Sequence, residues 1–436
     1  MTQVDQYNDS QALAPELPLD NPELGGWSIP PKAVKYRFPI VIGLVWGVLT
    51  GFSSWAMGKN GDVFIGIGLA TGAVLTIAYL RSMVPVVALF TSAAGLMVLL
   101  HVMAAVISSA LSLDPMIVLT GRYLILGAAF SVMLAITLQG MEMVSSLRIG
   151  LTLAGLCVAF SFLQYLNPAE LTSPSLRILG YLNPNSVGMI CAITALSLTD
   201  YAIVQKHRGS TARIVLLRLG TILCVLIIVA SKSRTATASL IAGWLVLRTL
   251  HYGLGKTIFL ALAAFVVMMA IPQVRDGFLH LYELDASSQR FRDISTLTGR
   301  TSIWMNYLAA WRSRPFLGVG PGGTAVTAGI FGHNAIIQYL AELGLFGTLP
   351  VFGLLFMAFL GAFRQRKNPG YYFFTACIIA ALVESIGEAS LLNSGNPASL
   401  IVLLSFAVLA TVGREKRREP AEDDWQSYLA THGTTG

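Results

Sequence analysis

Apolar runs about twenty residues long follow one another through this chain, and a run of that length is what an α-helix needs to cross the hydrocarbon core of a bilayer. Candidate spans lie at 38–57, 63–80, 84–109, 116–138, 149–166, 187–204, 214–230, 235–250, 257–274, 344–362, 371–389 and 397–412. The pattern predicts an all-α integral membrane protein with about twelve transmembrane helices. Composition agrees, since 55% of the 436 residues are hydrophobic and 12% are charged, against about 25% charged in a soluble domain.

The basic residues test both the count and the orientation, because cytoplasmic loops collect Lys and Arg. With the N-terminus inside, the inner segments hold Lys32, Lys35, Arg37, Arg81, Arg148, Lys206, Arg208, Arg213, Arg248, Lys256, Arg364, Arg366 and Lys367, and the tail adds Arg414, Lys416, Arg417 and Arg418. The short loops on the other side hold only Lys59, Arg177, Lys232 and Arg234. Much of the basic excess behind the net charge of +7 is therefore topological and requires no nucleic-acid partner. Residues 1–36 are polar, acidic and proline-containing, without the apolar core of a signal peptide, and read as a disordered cytoplasmic arm. Residues 37–274 hold spans one to nine, 334–413 hold spans ten to twelve, and 414–436 form a cytoplasmic tail, basic and then acidic.

Residues 275–333 break the charge pattern. This external loop carries Arg275, Arg290, Arg292, Arg300, Arg312 and Arg314, and long loops are translocated regardless of charge. Its "SIWMNYLAAW" has apolar residues at helical spacing, so amphipathic helices on the outer membrane face are expected.

Three stretches bring groups capable of chemistry to that outer face. In "HNAIIQYLAELGLFG" (333–347), His333 and Asn334 stand where the loop returns to the membrane, and Gly344, Gly347 and Thr348 permit close packing or a bend. The plainer reading makes Asn334 a helix cap and His333 an anchor in the headgroup layer; the chemical reading makes His333 a general base. In "SKSRTATAS" (231–239), Lys232 and Arg234 occupy a very short external hairpin. Either they snorkel to lipid headgroups, or the guanidinium captures a phosphate or pyrophosphate. In "STLTGRTSIW" (295–304), Arg300 opens a helix, and helix N-termini and arginines both bind anions. "RSRPFLGVGPGG" (312–323) adds Arg312 and Arg314 on a glycine-rich return that lacks the lysine and spacing of a nucleotide-binding loop.

Two further sets lie inside spans, where ionisable residues are functional candidates by default. Glu384 and Glu388 are four apart, which predicts a shared helix face, with pairing to Arg234 or Arg300 as the structural alternative. Arg122 in span four faces either a polar cavity or a carboxylate such as Glu384. Cys157, Cys191, Cys224 and Cys377 lie in apolar runs without metal spacing, and His101, His207, His251, His280 and His432 make no ligand set. No metal and no cofactor are expected. Several fixed cations and one histidine at the membrane border suit an anionic lipid substrate with a phosphate leaving group.

Those same stretches resemble a known family. His-Asn followed after nine residues by Gly-x-x-Gly, the upstream "SKSRTA", "TGRTSIW" with "RPFLGVGPGG", and "LNPNSVG" (182–188) are similar to the bacterial O-antigen ligase and O-antigen polymerase superfamily over about residues 180–350. "TLTGRTSIW" looks more like exopolysaccharide polymerases of the succinoglycan type. The resemblance implies an inner-membrane enzyme with both termini cytoplasmic and one large periplasmic loop between spans nine and ten. It implies metal-independent, inverting transfer of a glycan from undecaprenyl diphosphate. The acceptor would be another lipid-linked repeat (polymerase) or the lipid A-core (ligase), beside other polysaccharide assembly proteins. Carried over, Arg234 and Arg300 bind the diphosphate, and His333 takes the proton of the acceptor hydroxyl. Lys232, Asn334, Arg312, Arg314, Arg122 and Glu384 are the candidates for substrate binding. A transporter or lipid-glycan flippase is the rival reading; against it, the chain shows no clear pair of repeated halves.

Overall fold

The computed structural model describes residues 34–53, 84–112, 117–165, 184–205, 210–273, 275–276, 300–323, 333–388, 391–392 and 396–412. These residues form helices and turns, with no strand among them. In chain order the helices are α1 (Val34–Ser53), α2 (Val84–Thr91), α3 (Ala93–Ala110), α4 (Ile117–Leu138), α5 (Met141–Ser161), α6 (Pro184–Gln205), α7 (Thr211–Ser231), α8 (Arg234–Tyr252), α9 (Leu254–Ala270), α10 (Arg300–Ser313), α11 (Ala335–Arg364), α12 (Tyr372–Gly387) and α13 (Pro397–Thr411). Among the described residues, seven helices are long and apolar enough to cross a membrane: Ala93–Ala110, Thr120–Leu138, Met141–Ser161, Pro184–Gln205, Thr211–Ser231, Ala335–Arg364 and Pro369–Gly387. Pro39–Thr50, Leu254–Val266 and Pro397–Thr411 are shorter apolar helices. A helix stands at each expected span that falls within the described residues. The second span (63–80), the N-terminal arm to residue 33, most of the outer loop (277–299 and 324–332) and the tail from 413 lie outside them.

Three boundaries differ from the sequence reading, each for a local reason. The third span is two helices, because the Ser92 hydroxyl accepts from Gly95 N–H at 2.9 Å and starts α3 afresh. The fifth begins at Met141, not 149, which carries Arg148 into the helix and buries it completely. The tenth begins at Ala335, where Asn334 caps it, and bends at Gly344. α8 runs the length of a span but carries polar residues at its start, and it packs chiefly against α12 and α6. α13 is apolar all round and buried along nearly its whole length, as an internal helix must be.

Arg148 was expected in a cytoplasmic loop; partners that hydropathy does not reveal hold it inside instead. Its Nη1 lies 2.9 Å from Asp200 Oδ2. Nε and Nη2 donate to the Ser197 hydroxyl and carbonyl. The guanidinium stacks 3.5 Å from the centre of the Phe373 ring. His251 Nε2 completes the set at 3.0 Å from the other Asp200 oxygen. α5, α6, α8 and α12 are thus pinned together at one end.

The bend in α11 is built from both sides. Gly344 has φ 63° and ψ −162°, outside helical values, and interrupts the backbone ladder. Residues 315–320 repair it. Val319 and Gly320 N–H donate to the carbonyls of Ala341 and Glu342 at 2.9 and 3.0 Å, while Leu345 and Phe346 N–H donate to Pro315 and Phe316 O at 2.9 and 3.0 Å. Ser108 Oγ adds a bond to Glu342 O at 2.8 Å. A Cβ on Gly318 or Gly344 would run into the opposing backbone, and both residues have positive φ. This is how irregular backbone is tolerated within a membrane protein: the carbonyls of Ala341 and Glu342 and the N–H groups of Leu345 and Phe346 are bonded to other protein groups.

Arg148→Ala leaves Asp200 buried without its main partner and is expected to cost about 3–5 kcal/mol. Arg148→Met combined with Asp200→Leu is expected to cost less. Unfolding of the purified variants in detergent measures both, and equal losses would mean that the pair is incidental.

Candidate functional site

The site begins where α7 stops. Lys232 takes a left-handed conformation (φ 52°, ψ 28°) and its N–H donates to Val229 O, closing the helix. Ser233 then starts α8 by accepting from Ala236 N–H at 3.3 Å, so Arg234 is the first residue of α8 and half-buried. Lys232 itself is buried. Gly188 of α6 makes the approach possible, since a Cβ there would lie 2.6 Å from Ala236 Cβ and 3.0 Å from Ser233 Cβ. Gly188, the last residue of "LNPNSVG", is therefore a point against which the "SKSRTA" hairpin rests.

α12 arrives at the same end. Glu384 is buried and accepts from Thr235 Oγ1 at 3.2 Å and Ser239 Oγ at 3.0 Å, tying α12 to the first turns of α8. α12 ends at Gly387, and Glu388 is extended (φ −145°, ψ 152°). The two carboxylates therefore do not share a helix face as their spacing predicts. Glu388 leaves the helix and meets three partners. Asn185 Nδ2 donates to Oε1 at 2.6 Å, Arg300 Nη2 lies 3.6 Å from the same oxygen, and His333 Nδ1 lies 3.4 Å from Oε2. All are partly open to the outside: the side chains of Arg300, Glu388 and His333 are 24%, 17% and 32% exposed. Gly387 leaves room for this meeting, because a Cβ there would lie 3.0 Å from Arg300 Nη1 and press on Thr235. Arg300 and the α8 N-terminus that carries Arg234 thus converge on one small patch.

His333 sits at φ 47°. Among the described residues, it and Lys232 are the non-glycine residues with positive φ, and both belong to this site. Left-handed backbone costs a β-carbon residue about 1–2 kcal/mol, so the surroundings hold His333 against its preference. Asn334 supplies much of the hold: its Oδ1 accepts from Ile337 N–H at 3.0 Å as the cap of α11, and its Nδ2 donates to Ile386 O at 3.3 Å.

Other candidates stand apart. Arg122, exposed on α4, lies within electrostatic reach of Glu342, and Glu384 instead has Thr235, Ser239, Glu388 and Arg300 around it. Arg312 lies in the last turn of α10, twelve residues from Arg300, which is about 18 Å of helix. Arg314 donates from Nη1 to Leu111 O at 3.0 Å, at the C-terminus of α3. The sequence reading passed over Asn185 as a partner and Glu342 altogether. Glu342 is buried and accepts from Tyr123 OH at 3.1 Å and Gln338 Nε2 at 3.0 Å beside the bend. Its position in the 333–347 motif was the available signal. Among the described residues no group of His, Cys, Asp and Glu could hold a metal ion.

Seven membrane-length apolar helices among the described residues make this a multi-pass membrane protein, with arginine, carboxylate and histidine side chains gathered at one end of its helices. Residues 219–352, from within α7 to within α11, match the family model described as O-antigen ligase, in agreement with the resemblance in the motifs. Lys232, Arg234, Arg300, Arg312, Arg314, His333 and Asn334 fall inside the matched stretch; Asn185, Glu384 and Glu388 fall outside it. No curated protein matches the chain significantly.

Because His333 is held in a left-handed conformation, His333→Gly is expected to unfold about 1 kcal/mol later than His333→Ala. Denaturant or thermal unfolding of the two variants tests this, and equal stability would mean the backbone there is unstrained.

Proposed function

We propose that this protein is a membrane enzyme of surface-polysaccharide assembly that moves a glycan from undecaprenyl diphosphate to a hydroxyl of an acceptor sugar on the periplasmic face. The observation that carries the reading is the meeting of His333 and Arg300 on Glu388. A base and a cation from two separate stretches share one carboxylate, at the end of α12 where the N-terminus of α8 also lies.

The chemistry follows from the arrangement. With Nδ1–H turned to Glu388, the imidazole is held in the tautomer whose Nε2 lone pair is open to accept a proton. The acceptor oxygen attacks the anomeric carbon of the donor glycan as His333 takes its proton, and the bond to the diphosphate oxygen breaks with inversion. The diphosphate leaves with an added negative charge. Arg234 and Arg300 hold that charge in the two-pronged geometry a guanidinium offers to phosphate, and stabilisation of developing charge by fixed groups is the largest lever such a site has. The fixed cations take the place of a metal ion. Glu388 and Asn185 orient the base and Arg300, and Glu384 fixes the helix that brings them in.

The wording of "TLTGRTSIW" supports a polymerase, with another lipid-linked repeat as acceptor. The description of the matched family, O-antigen ligase, favours a second reading in which the finished polymer is joined to lipid A-core. In cells lacking the protein, lipid-linked glycans are sized: accumulating single periplasmic repeats support polymerisation, and accumulating long lipid-linked polymer supports ligation. Repeats stranded on the cytoplasmic face would overturn both and make the protein a flippase.

His333→Ala is expected to abolish transfer while donor binding persists, measured by turnover and by binding of labelled donor to the purified protein. Arg234→Lys and Arg300→Lys are each expected to lower turnover at least tenfold, since losing a charge-assisted pair costs about 1.5–3 kcal/mol. Normal turnover in all three variants would leave the arginines as headgroup anchors.

A further inference from the structure

Arg312 and Arg314 are not part of the cluster on Glu388, and the molecule offers them another role. Just past the bend at Gly344, a groove of about 480 Å³ lies between α3 and α11. Met97, Leu100, Met103 and Ile107 of α3 form one wall, with Leu317 and Phe346 from the far side, and every lining side chain is apolar. The groove opens sideways, toward where acyl chains would lie, since Met103 and Phe346 are 48% and 60% exposed.

Its outer end is cationic. Arg314 donates to Leu111 O, four residues beyond the lining Ile107 and so about 6 Å up the same helix. That bond uses one of the five guanidinium N–H groups. Arg312 is exposed on the neighbouring last turn of α10. The ring of Phe316 lies 6.1 Å from that of the lining Phe346, extending the apolar surface on that side. An apolar slot topped by guanidinium groups is complementary to a lipid with a long chain and a phosphate.

This place is separate from the donor site. Arg312 is twelve positions along α10 from Arg300, about 18 Å, more than one diphosphate spans. Transfer between two membrane-anchored glycans needs two lipids held at once, and the cluster on Glu388 serves one. We propose that the groove holds the polyprenyl chain of the second lipid, the one carrying the acceptor glycan, with Arg312 and Arg314 on its phosphate. The inference rests on the transfer reading above and selects its polymerase form.

The test uses the full chain in phosphatidylcholine nanodiscs and a polyprenyl phosphate bearing a diazirine on its chain, with labelled residues located by mass spectrometry. Labels are expected on α3 between 97 and 107 and on α11 around Phe346, competed by undecaprenyl phosphate and not by phosphatidylglycerol. Leu100→Trp, at a lipid-facing position where folding is not at stake, should fill the slot and remove those labels. The double variant Arg312→Gln, Arg314→Gln should lower them about tenfold, the effect of a lost charge-assisted contact. Equal competition by phosphatidylglycerol would make the groove an ordinary lipid contact and overturn the proposal. So would labelling at the Arg300 end alone, which would leave the transfer reading intact. Groove labelling in His333→Ala with undiminished transfer would instead strike the transfer reading and leave the groove standing.

Discussion

Inside a bilayer a peptide group that loses its helical partner must find another within the protein, and this constraint governs the architecture around the site. α11 breaks at Gly344, and residues 315–320 supply the missing donors and acceptors on both sides of the break. That repair closes a loop of chain. α10 runs from Arg300 to the return segment, the return segment is fastened to the bend, and residues 335–343 lead back from the bend to His333. The N-termini of α10 and α11 are thereby brought to the same carboxylate. Gly318 and Gly344 are the positions that make the fastening possible, because each lets one backbone lie directly on the other.

Glu388 is the point on which that geometry is read out. One oxygen takes Asn185 and Arg300, the other faces His333, so an imidazole and a guanidinium are held in fixed relation by a group that leaves α12 just before meeting them. Glu384, one turn earlier, does the complementary task with Thr235 and Ser239, locking α12 to the helix that starts with Arg234. The left-handed backbone at Lys232 and His333 marks where the chain accepts local cost to turn sharply into the helices that carry the site. At the opposite ends of α6, α8 and α12, the buried Arg148–Asp200–His251 set ties these helices to one another and to α5, so the site end need not carry their cohesion.

Much of this was legible in the sequence, and the limits have physical causes. Hydropathy is a sum over twenty residues, so it locates helices well; it cannot see that one arginine finds a carboxylate, a serine and an aromatic face, and so it left Arg148 in a loop. Asn334 as a cap and Gly344 as a bend follow from the short-range preferences of those residue types and were readable. The i,i+4 spacing of Glu384 and Glu388 assumed a helix through both, and the helix stops between them. The meeting of Asn185, Arg300, His333 and Glu388 joins residues from across the chain, and no local pattern encodes such a contact. Glu342 is a lone carboxylate in an apolar run, and its partners Tyr123 and Gln338 come together only where α4 meets α11.

The most direct measurement of the central claim is made on the purified protein in nanodiscs, with a synthetic polyprenyl-diphosphate glycan as donor, a matching acceptor and a chelator present. The account predicts acceptor lengthened by one donor glycan, with inverted configuration at the new linkage, and one polyprenyl diphosphate released for each transfer. An intact donor that only changes leaflet, with no new linkage formed, would contradict it.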